Sequence, residues 1–124
     1  MVIDMDFEKI SIGVDIEDVE RFINKDEIFL NRIFTPLEIE YCKSKTNSHQ
    51  HFSARYSAKE AVFKALSAFC ESGIEFRTIE VYHQNKIPCI RFLSDLSKKY
   101  ESKLSLSHDK TKSIAYVIIK KIVD

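Results

Sequence analysis

The stretch FSARYSAKEAVFKAL, residues 52–66, constrains the fold more than any other part of the chain. Its large apolar side chains recur at helical spacing without glycine or proline, which predicts one long helix over residues 51–69. Three charged side chains interrupt an otherwise apolar or small surface: Lys59, Glu60 and Lys64. Burying a carboxylate beside aromatic neighbours such as Tyr56 costs free energy unless a cation pairs with it. The helix therefore needs a sheet to cover its apolar face and a partner for its charges.

Several short strands are predicted around this helix. Alternating apolar residues predict four strands, over residues 10–16, 78–83, 88–93 and 104–108. The apolar run SIAYVIIKKIV predicts a last strand that pairs with residues 104–108 as an antiparallel hairpin. Gly13 inside the first strand indicates a close backbone approach or a bulge. The predicted class is α+β, with a mainly antiparallel sheet packed on one long helix.

Shorter helices and loops are predicted between these elements. Residues 17–34 are helical in character, with a break near residues 24–26. The segment TPLEIEYCKSK predicts a helix capped by Thr35 and Glu38 as a capping box, with Pro36 at its first position. A polar loop is predicted at 46–50 and a loop around Gly73. A hairpin-like turn is predicted between the strands at 78–83 and 88–93, with Asn85 in the left-handed conformation. A short helix with Ser94 as its cap is predicted over residues 94–103.

Length and composition limit the functional classes. The 124 residues predict a single domain over residues 1–124, with residues 1–9 as a flexible extension. A net charge of zero argues against bulk binding of nucleic acid or of a membrane surface. No apolar run approaches the roughly 20 residues of a membrane helix, and the acidic start is unlike a signal peptide, so a cytoplasmic location is expected. Three unpaired cysteines without metal-binding spacing predict free thiols and no zinc site.

Three charged positions suggest chemistry, and each has a plainer reading. Asp15 lies at the carboxyl end of the first predicted strand and could simply cap a helix. Glu60 and Lys64 are four residues apart and could form a surface ion pair. His108 and Asp109 could be an exposed histidine and a turn aspartate. Taken together, two carboxylates with nearby lysines suit a Mg²⁺ ion and a phosphate ester, because Mg²⁺ prefers carboxylate and phosphate oxygens.

Taken in order, the same stretches resemble a known family. The phrases IGVDIEDVERF, RIFTPLEIEYC, FSARYSAKEAVFKAL and LSLSHD with IAYVII are similar to those of the acyl-carrier-protein synthases. These are the short, single-domain class of 4′-phosphopantetheinyl transferases. The likeness extends over residues 10–120, almost the whole chain.

The resemblance implies an activity and its partners. The family transfers the 4′-phosphopantetheine arm of coenzyme A to a serine of apo acyl carrier protein and releases adenosine 3′,5′-bisphosphate. It implies a Mg²⁺ ion held by Asp15 and Glu60, and a homotrimer with active sites between subunits. Arg21 matches an arginine that contacts the acidic carrier protein, and charge and proximity extend this docking surface to Lys25 and Arg32.

Roles for the remaining residues combine the resemblance with charge. Glu60 is the first choice for the base that takes the serine proton, and Asp109 is the second. Lys64 and Lys59 are expected to offset charge on the transferred phosphoryl or the leaving bisphosphate. The family pattern implies that Ser107 and His108 hold the phosphates of coenzyme A.

One departure leaves an alternative open. The family usually has Gly-Thr-Gly where this chain has Ser67, Ala68 and Phe69. The chain could therefore be a degenerate member that binds carrier protein or coenzyme A without transfer. A structural domain without a ligand is a third reading, and it requires all three charged stretches to be solvated faces. The choice between fatty-acid and polyketide carriers stays open.

Overall fold

The structure, a computed structural model, describes residues 6–122. Five strands and three α-helices follow one another with short 3₁₀ turns between them. In chain order they are β1 (Ile10–Asp18), α1 (Glu27–Ile33), α2 (Pro36–Lys43), α3 (Ser48–Ser67), β2 (Ile79–Gln84), β3 (Ile87–Phe92), β4 (Tyr100–His108) and β5 (Lys112–Lys121). All strand pairs are antiparallel, in a three-stranded sheet of order β1-β5-β4 and a β2-β3 hairpin. The predicted α+β class is confirmed.

Helix α3 covers one face of the three-stranded sheet. Alternation along β1 turns Ser11, Gly13 and Asp15 towards this helix and Ile12 and Val14 away from it. The approach is closest at Gly13, where an added Cβ atom would lie 1.9 Å from the carbonyl oxygen of Ala61. The predicted close backbone approach at Gly13 is therefore confirmed.

The core has two parts, both built on α3. One cluster joins the second half of α3 to the inward residues of β5, such as Val117 and Ile119. The other joins the first half of α3 to aromatic residues that precede it, including Phe22 and Phe34. Both sides of the long helix are thus buried, which explains why so much of its surface is apolar or small.

Local signals placed several elements correctly. Thr35 and Glu38 form the predicted capping box of α2, with Pro36 in the first turn. The break expected near residues 24–26 is present, since Asn24 has a φ of 59° and Asp26 then caps α1. Asn85 takes the left-handed conformation in the β2-β3 turn, with a φ of 52°.

Three boundaries differ from the predictions. Helix α3 begins at Ser48, inside the predicted polar loop. Residues 17 and 18 still belong to β1, so the helical character of the segment starts only at the 3₁₀ turn Val19–Phe22. The helix predicted over residues 94–103 is only a 3₁₀ turn, Asp95–Lys98, and β4 begins at Tyr100. Buried Tyr100 starts the alternation of β4, so burial of alternate side chains overrides helix propensity there.

The predicted N-terminal extension lies only partly within the described part of the chain. Of the predicted N-terminal extension, residues 1–5 lie outside the described part, whereas Phe7–Lys9 form a 3₁₀ turn capped by Asp6. Among residues 6–122, no helix is both long and apolar enough to cross a bilayer.

The outer face of the three-stranded sheet is apolar, and no described part of the chain covers it. Opposed pairs on β1 and β5 form it: Ile12 with Ile118, Val14 with Tyr116, and Ile16 with Ile114. These six side chains are between 39% and 61% exposed. A contiguous apolar patch of this kind is typical of a protein–protein contact surface.

Candidate active site

Asp15 is held by β1 against α3, not at a helix end. The residue is only 8% exposed, and its Oδ1 atom accepts a hydrogen bond of 3.0 Å from the Lys64 ammonium. Lys64 also donates to the carbonyl oxygen of Val14 at 3.0 Å. The other carboxylate oxygen, Oδ2, is buried and accepts no hydrogen bond. Burying a carboxylate oxygen without a hydrogen-bond donor costs free energy. A bound cation or ligand would therefore stabilise this atom.

Glu17 is a further acidic residue that the sequence predictions did not include. It lies two residues after Asp15 on the same face of β1, and its side chain is only 14% exposed. Arg21 donates to its Oε1 atom at 2.9 Å. Burial, and then the close Asp15 carboxylate, raise the pKa of Glu17 to about 7 despite Arg21. The signal available in the sequence was the i, i+2 spacing of two acids at the end of a strand.

Glu60 lies on α3 between residues that contact this part of β1. Helix α3 runs antiparallel to β1, because Ser11 bonds to the carbonyl of Ala65 at 2.6 Å whereas Arg21 donates to Tyr56 at 3.5 Å. Glu60 is one turn from Tyr56 and, on the other side, one turn from Lys64. Burial and then the charge of Glu60 raise the pKa of Tyr56. The structure thus sets Glu60 on the helix face that runs alongside the two acids of β1.

These residues fit a divalent cation. The unpaired oxygen of Asp15 lies beside Glu17, and two adjacent acids are stabilised either by a shared proton or by a bound cation. Among residues 6–122, no three His, Cys, Asp or Glu side chains are grouped as a complete metal site. A Mg²⁺ ion needs only one or two protein carboxylates when a substrate phosphate completes its shell.

Lys59 does not take the predicted place beside a phosphate. Its side chain is fully buried and forms a 2.8 Å ion pair with Glu38. It also donates to the carbonyl oxygens of Phe76 and Ile79. Burial lowers the pKa of Lys59, and the Glu38 charge opposes that effect. Because all of its acceptors lie inside the protein, the predicted contact between Lys59 and coenzyme A is wrong in this structure.

Ser107 and His108 lie on opposite faces of β4. Ser107 pairs with Ile114 on the exposed outer face, whereas His108 pairs with the buried Ser113 on the helix side. The His108 ring lies 5.7 Å from the ring of His51 on α3. A single chain therefore cannot offer Ser107 and His108 to the same ligand from the same face of the sheet.

Asp109 is a turn residue. Its Oδ1 atom accepts hydrogen bonds from the backbone N–H groups of Thr111 and Lys112, both at 2.8 Å. The backbone bond from Lys112 and then that from Thr111 lower the pKa of Asp109. A carboxylate stabilised in its charged form is a weaker base, which counts against Asp109 as the proton acceptor.

The predicted docking residues are exposed on the segment after β1. Arg21 belongs to the 3₁₀ turn Val19–Phe22, and its guanidinium lies 4.8 Å from the centre of the Tyr56 ring. The ammonium of Lys25 lies 5.1 Å from the Phe29 ring, and Arg32 is in the last turn of α1. All three, here called the basic surface, are exposed to solvent, and the exposed acids Glu20, Asp26 and Glu27 lie between them in the chain. Arg21 connects this surface to Glu17.

A second site feature, absent from the sequence predictions, is a pocket around Arg55. This pocket has a volume of about 390 Å³ and is lined in part by Tyr41, Tyr82 and His83. Arg55 is 2% exposed, its guanidinium lies 4.2 Å from the Tyr41 ring, and its Nε atom has no partner. The Tyr41 and His83 rings stack at 5.3 Å. A buried cation beside stacked rings suits a ligand that carries both an anion and a flat ring.

The chain is similar to known proteins in both sequence and fold. Residues 11–118 match the family described as the 4′-phosphopantetheinyl transferase superfamily. A holo-[acyl-carrier-protein] synthase of Geobacter sp. (strain M21) is 36% identical over 121 residues, which cover 88% of this chain and 96% of that protein.

Two solved structures show the same fold. The holo-[acyl-carrier-protein] synthase of Neisseria meningitidis superposes with a TM-score of 0.78 at 27% identity, covering 90% of this chain and 98% of that one. The Helicobacter pylori synthase in complex with coenzyme A has a TM-score of 0.74 at 28% identity and covers 88% and 99% of the two chains.

Proposed function

The chain belongs to the 4′-phosphopantetheinyl transferase superfamily, and we propose that it transfers 4′-phosphopantetheine from coenzyme A to a serine of apo acyl carrier protein. The products are holo acyl carrier protein and adenosine 3′,5′-bisphosphate. The observation that carries the proposal is the buried, unpartnered oxygen of Asp15 next to Lys64 and alongside Glu60. The names of the relatives, and a coenzyme A complex among the similar structures, support it.

The activity is proposed to depend on Mg²⁺ held by Asp15 and Glu60. A bound Mg²⁺ would supply Lewis-acid stabilisation of the charge on the diphosphate. Lys64 is placed to add positive charge at the same point once a phosphate competes with Asp15 for its ammonium. Glu60 remains the preferred base for the serine proton, because Asp109 is occupied by its own turn.

The nucleotide part of coenzyme A is proposed to lie near the pocket around Arg55. Tyr41 and His83 offer flat surfaces for a base, and Arg55 offers a charge for a phosphate. His108 lies nearby, since its ring contacts His51, whose carbonyl accepts a hydrogen bond of 3.4 Å from Arg55. Ser107 lies on the outer face of the sheet, so it is proposed to contact only a ligand or a neighbouring protomer on that face.

Homotrimer formation is proposed through the outer face of the sheet. Exposed Ile12, Val14, Ile16 and their partners on β5 would lose contact with water on association, which is favourable for apolar surface. Ser107 on the same face would then approach a neighbouring protomer. The predicted sites between subunits and the cytoplasmic location stay predictions.

Carrier docking is proposed on the exposed basic surface of Arg21, Lys25 and Arg32. Complementary charge mainly speeds encounter and fixes orientation, so an acidic carrier would be steered to this side of the site. Replacement of Arg21 by glutamate should weaken carrier binding more than coenzyme A binding, and the effect should shrink at high salt. An equal loss for both ligands would remove Arg21 from the docking surface.

A mass-shift assay tests the transfer directly. Apo carrier protein is incubated with the chain, coenzyme A and Mg²⁺, and the expected result is a carrier that gains one phosphopantetheine. Asp15→Ala should lose Mg²⁺-dependent transfer while the fold is retained, and Asp18→Ala, in the exposed end of β1, is the matched control. Binding of coenzyme A without any added mass would favour the degenerate alternative instead.

A further inference from the structure

A continuous line of contacts joins the basic surface to the candidate cation site. Arg21 bonds to Glu17, and Glu17 lies against Asp15 on the same strand face. Arg21 is 47% exposed in its side chain, whereas Glu17 and Asp15 are mostly buried. Glu17 therefore lies between a cation that is reachable from solvent, Arg21, and a buried carboxylate, Asp15.

We propose that Glu17 couples carrier docking to cation binding, because an acidic partner that engages Arg21 frees the Glu17 carboxylate for the cation at Asp15. The inference rests on the proposed function, since it takes Arg21 as a docking residue and Asp15 as a cation ligand. It adds a residue, Glu17, and a regulation of that site by the second substrate.

The physical reason is competition for one carboxylate. In the free protein the Arg21 guanidinium takes Glu17 Oε1 and places a positive charge near the cation site. A positive charge next to a poorly solvated site opposes the binding of a second cation there. An acidic group on the docked carrier would share the guanidinium, so the negative charge of Glu17 would act more fully on the ion.

The second observation that favours a ligand concerns Asp15. Asp15 Oδ2 is buried and has no donor, although Lys64 satisfies Oδ1 of the same carboxylate. Lys64 thus binds one oxygen of Asp15, and Arg21 binds one oxygen of Glu17. The second oxygen of Asp15 has no hydrogen-bond donor. A cation at this point would neutralise two acids that otherwise repel each other.

Linkage makes the proposal measurable from the cation side. If docking tightens cation binding, the cation must tighten docking by the same factor. Mn²⁺ serves as the probe, because its binding can be followed by electron paramagnetic resonance without coenzyme A and without turnover. The carrier protein carries alanine at its acceptor serine, so that no transfer occurs.

The expected result is a carrier-dependent gain in Mn²⁺ affinity of about fivefold or more, within the usual range of such couplings. Glu17→Gln should weaken Mn²⁺ binding and remove the gain. Arg21→Gln, without any carrier, should bind Mn²⁺ more tightly than the unaltered protein. Glu20→Gln makes the same charge change on the neighbouring exposed turn and should behave like the unaltered protein.

The proposal is overturned if saturating carrier leaves the Mn²⁺ affinity unchanged, or if Glu17→Gln keeps the full gain. Glu17→Asp provides a second variant that preserves the charge, and it should retain part of the coupling. The mass-shift assay on the unaltered protein is scored separately. Transfer without coupling would refute only the role of Glu17, whereas absence of transfer would refute the proposed function.

Discussion

The contact between β1 and α3 makes Gly13→Ala the sharpest test of the fold. The added methyl group would lie 1.9 Å from the carbonyl oxygen of Ala61 and 3.1 Å from the backbone nitrogen of Ala65. Heavy atoms in contact normally stand roughly 3.5 Å apart. Both obstructing atoms belong to helix backbone, which cannot rotate away as a side chain can. The strand and the helix must therefore separate.

This separation should cost about 3 kcal/mol or more, at the upper end of the range for overpacked cores. For a chain of this size each kcal/mol corresponds to roughly 4 °C, so the melting temperature should fall by about 12 °C. The bonds from Ser11 to Ala65 and from Lys64 to Asp15 cross the same contact, so carrier modification should fall as well. Urea denaturation at one fixed protein concentration measures the free energy of unfolding, because self-association would otherwise shift it.

Gly73→Ala is the matched control at the other glycine of the chain. Gly73 has a φ of 69°, and an added Cβ atom there meets no atom within 4 Å. Its substitution should cost only about 1 kcal/mol, from backbone strain alone. If Gly13→Ala destabilises the protein no more than Gly73→Ala does, the steric argument for the strand–helix contact is refuted.

Three further predictions concern other parts of the molecule. Burial holds the pKa of His51 at about 4, so the unfolded chain binds the proton more readily as the pH falls from 6.5 to 4. Stability should drop through that window by on the order of 2 kcal/mol, and His51→Gln should flatten the slope in urea denaturation at a series of pH values. Tyr116→Lys places a charge on the outer sheet face and should dissociate the proposed trimer in sedimentation experiments; an unchanged oligomer would exclude this face as the interface. Lys59→Met leaves the buried Glu38 without its cation and should cost about 3 kcal/mol, whereas no loss would show that the ion pair does not stabilise the fold.

Local sequence signals predicted the parts of the fold that short-range physics decides. The capping box of Thr35 and Glu38 and the left-handed Asn85 involve residues within one turn of each other. Helical spacing likewise predicted most of α3. Where burial of remote surfaces competes with local propensity, as at Tyr100, the prediction of a helix failed.

The candidate site shows the same division. The sequence singled out Asp15 and Lys64, which the structure brings to 3.0 Å from each other. The predictions did not include Glu17, because its position between Arg21 and Asp15 becomes visible only in the folded chain. They also misplaced Lys59, because the charge pattern of a helix does not reveal that Lys59 pairs with a buried Glu38.

The sequence by itself determined the class of fold, the long helix and the family to which the chain belongs. Hydrophobic periodicity, helix caps and sequence motifs are all formed by residues that are close together in the chain. Only the tertiary structure decided which charges are buried, which oxygen lacks a donor, and which faces meet. Those properties depend on the desolvation and proximity of groups far apart in the chain, and the order of residues along the chain does not measure either quantity.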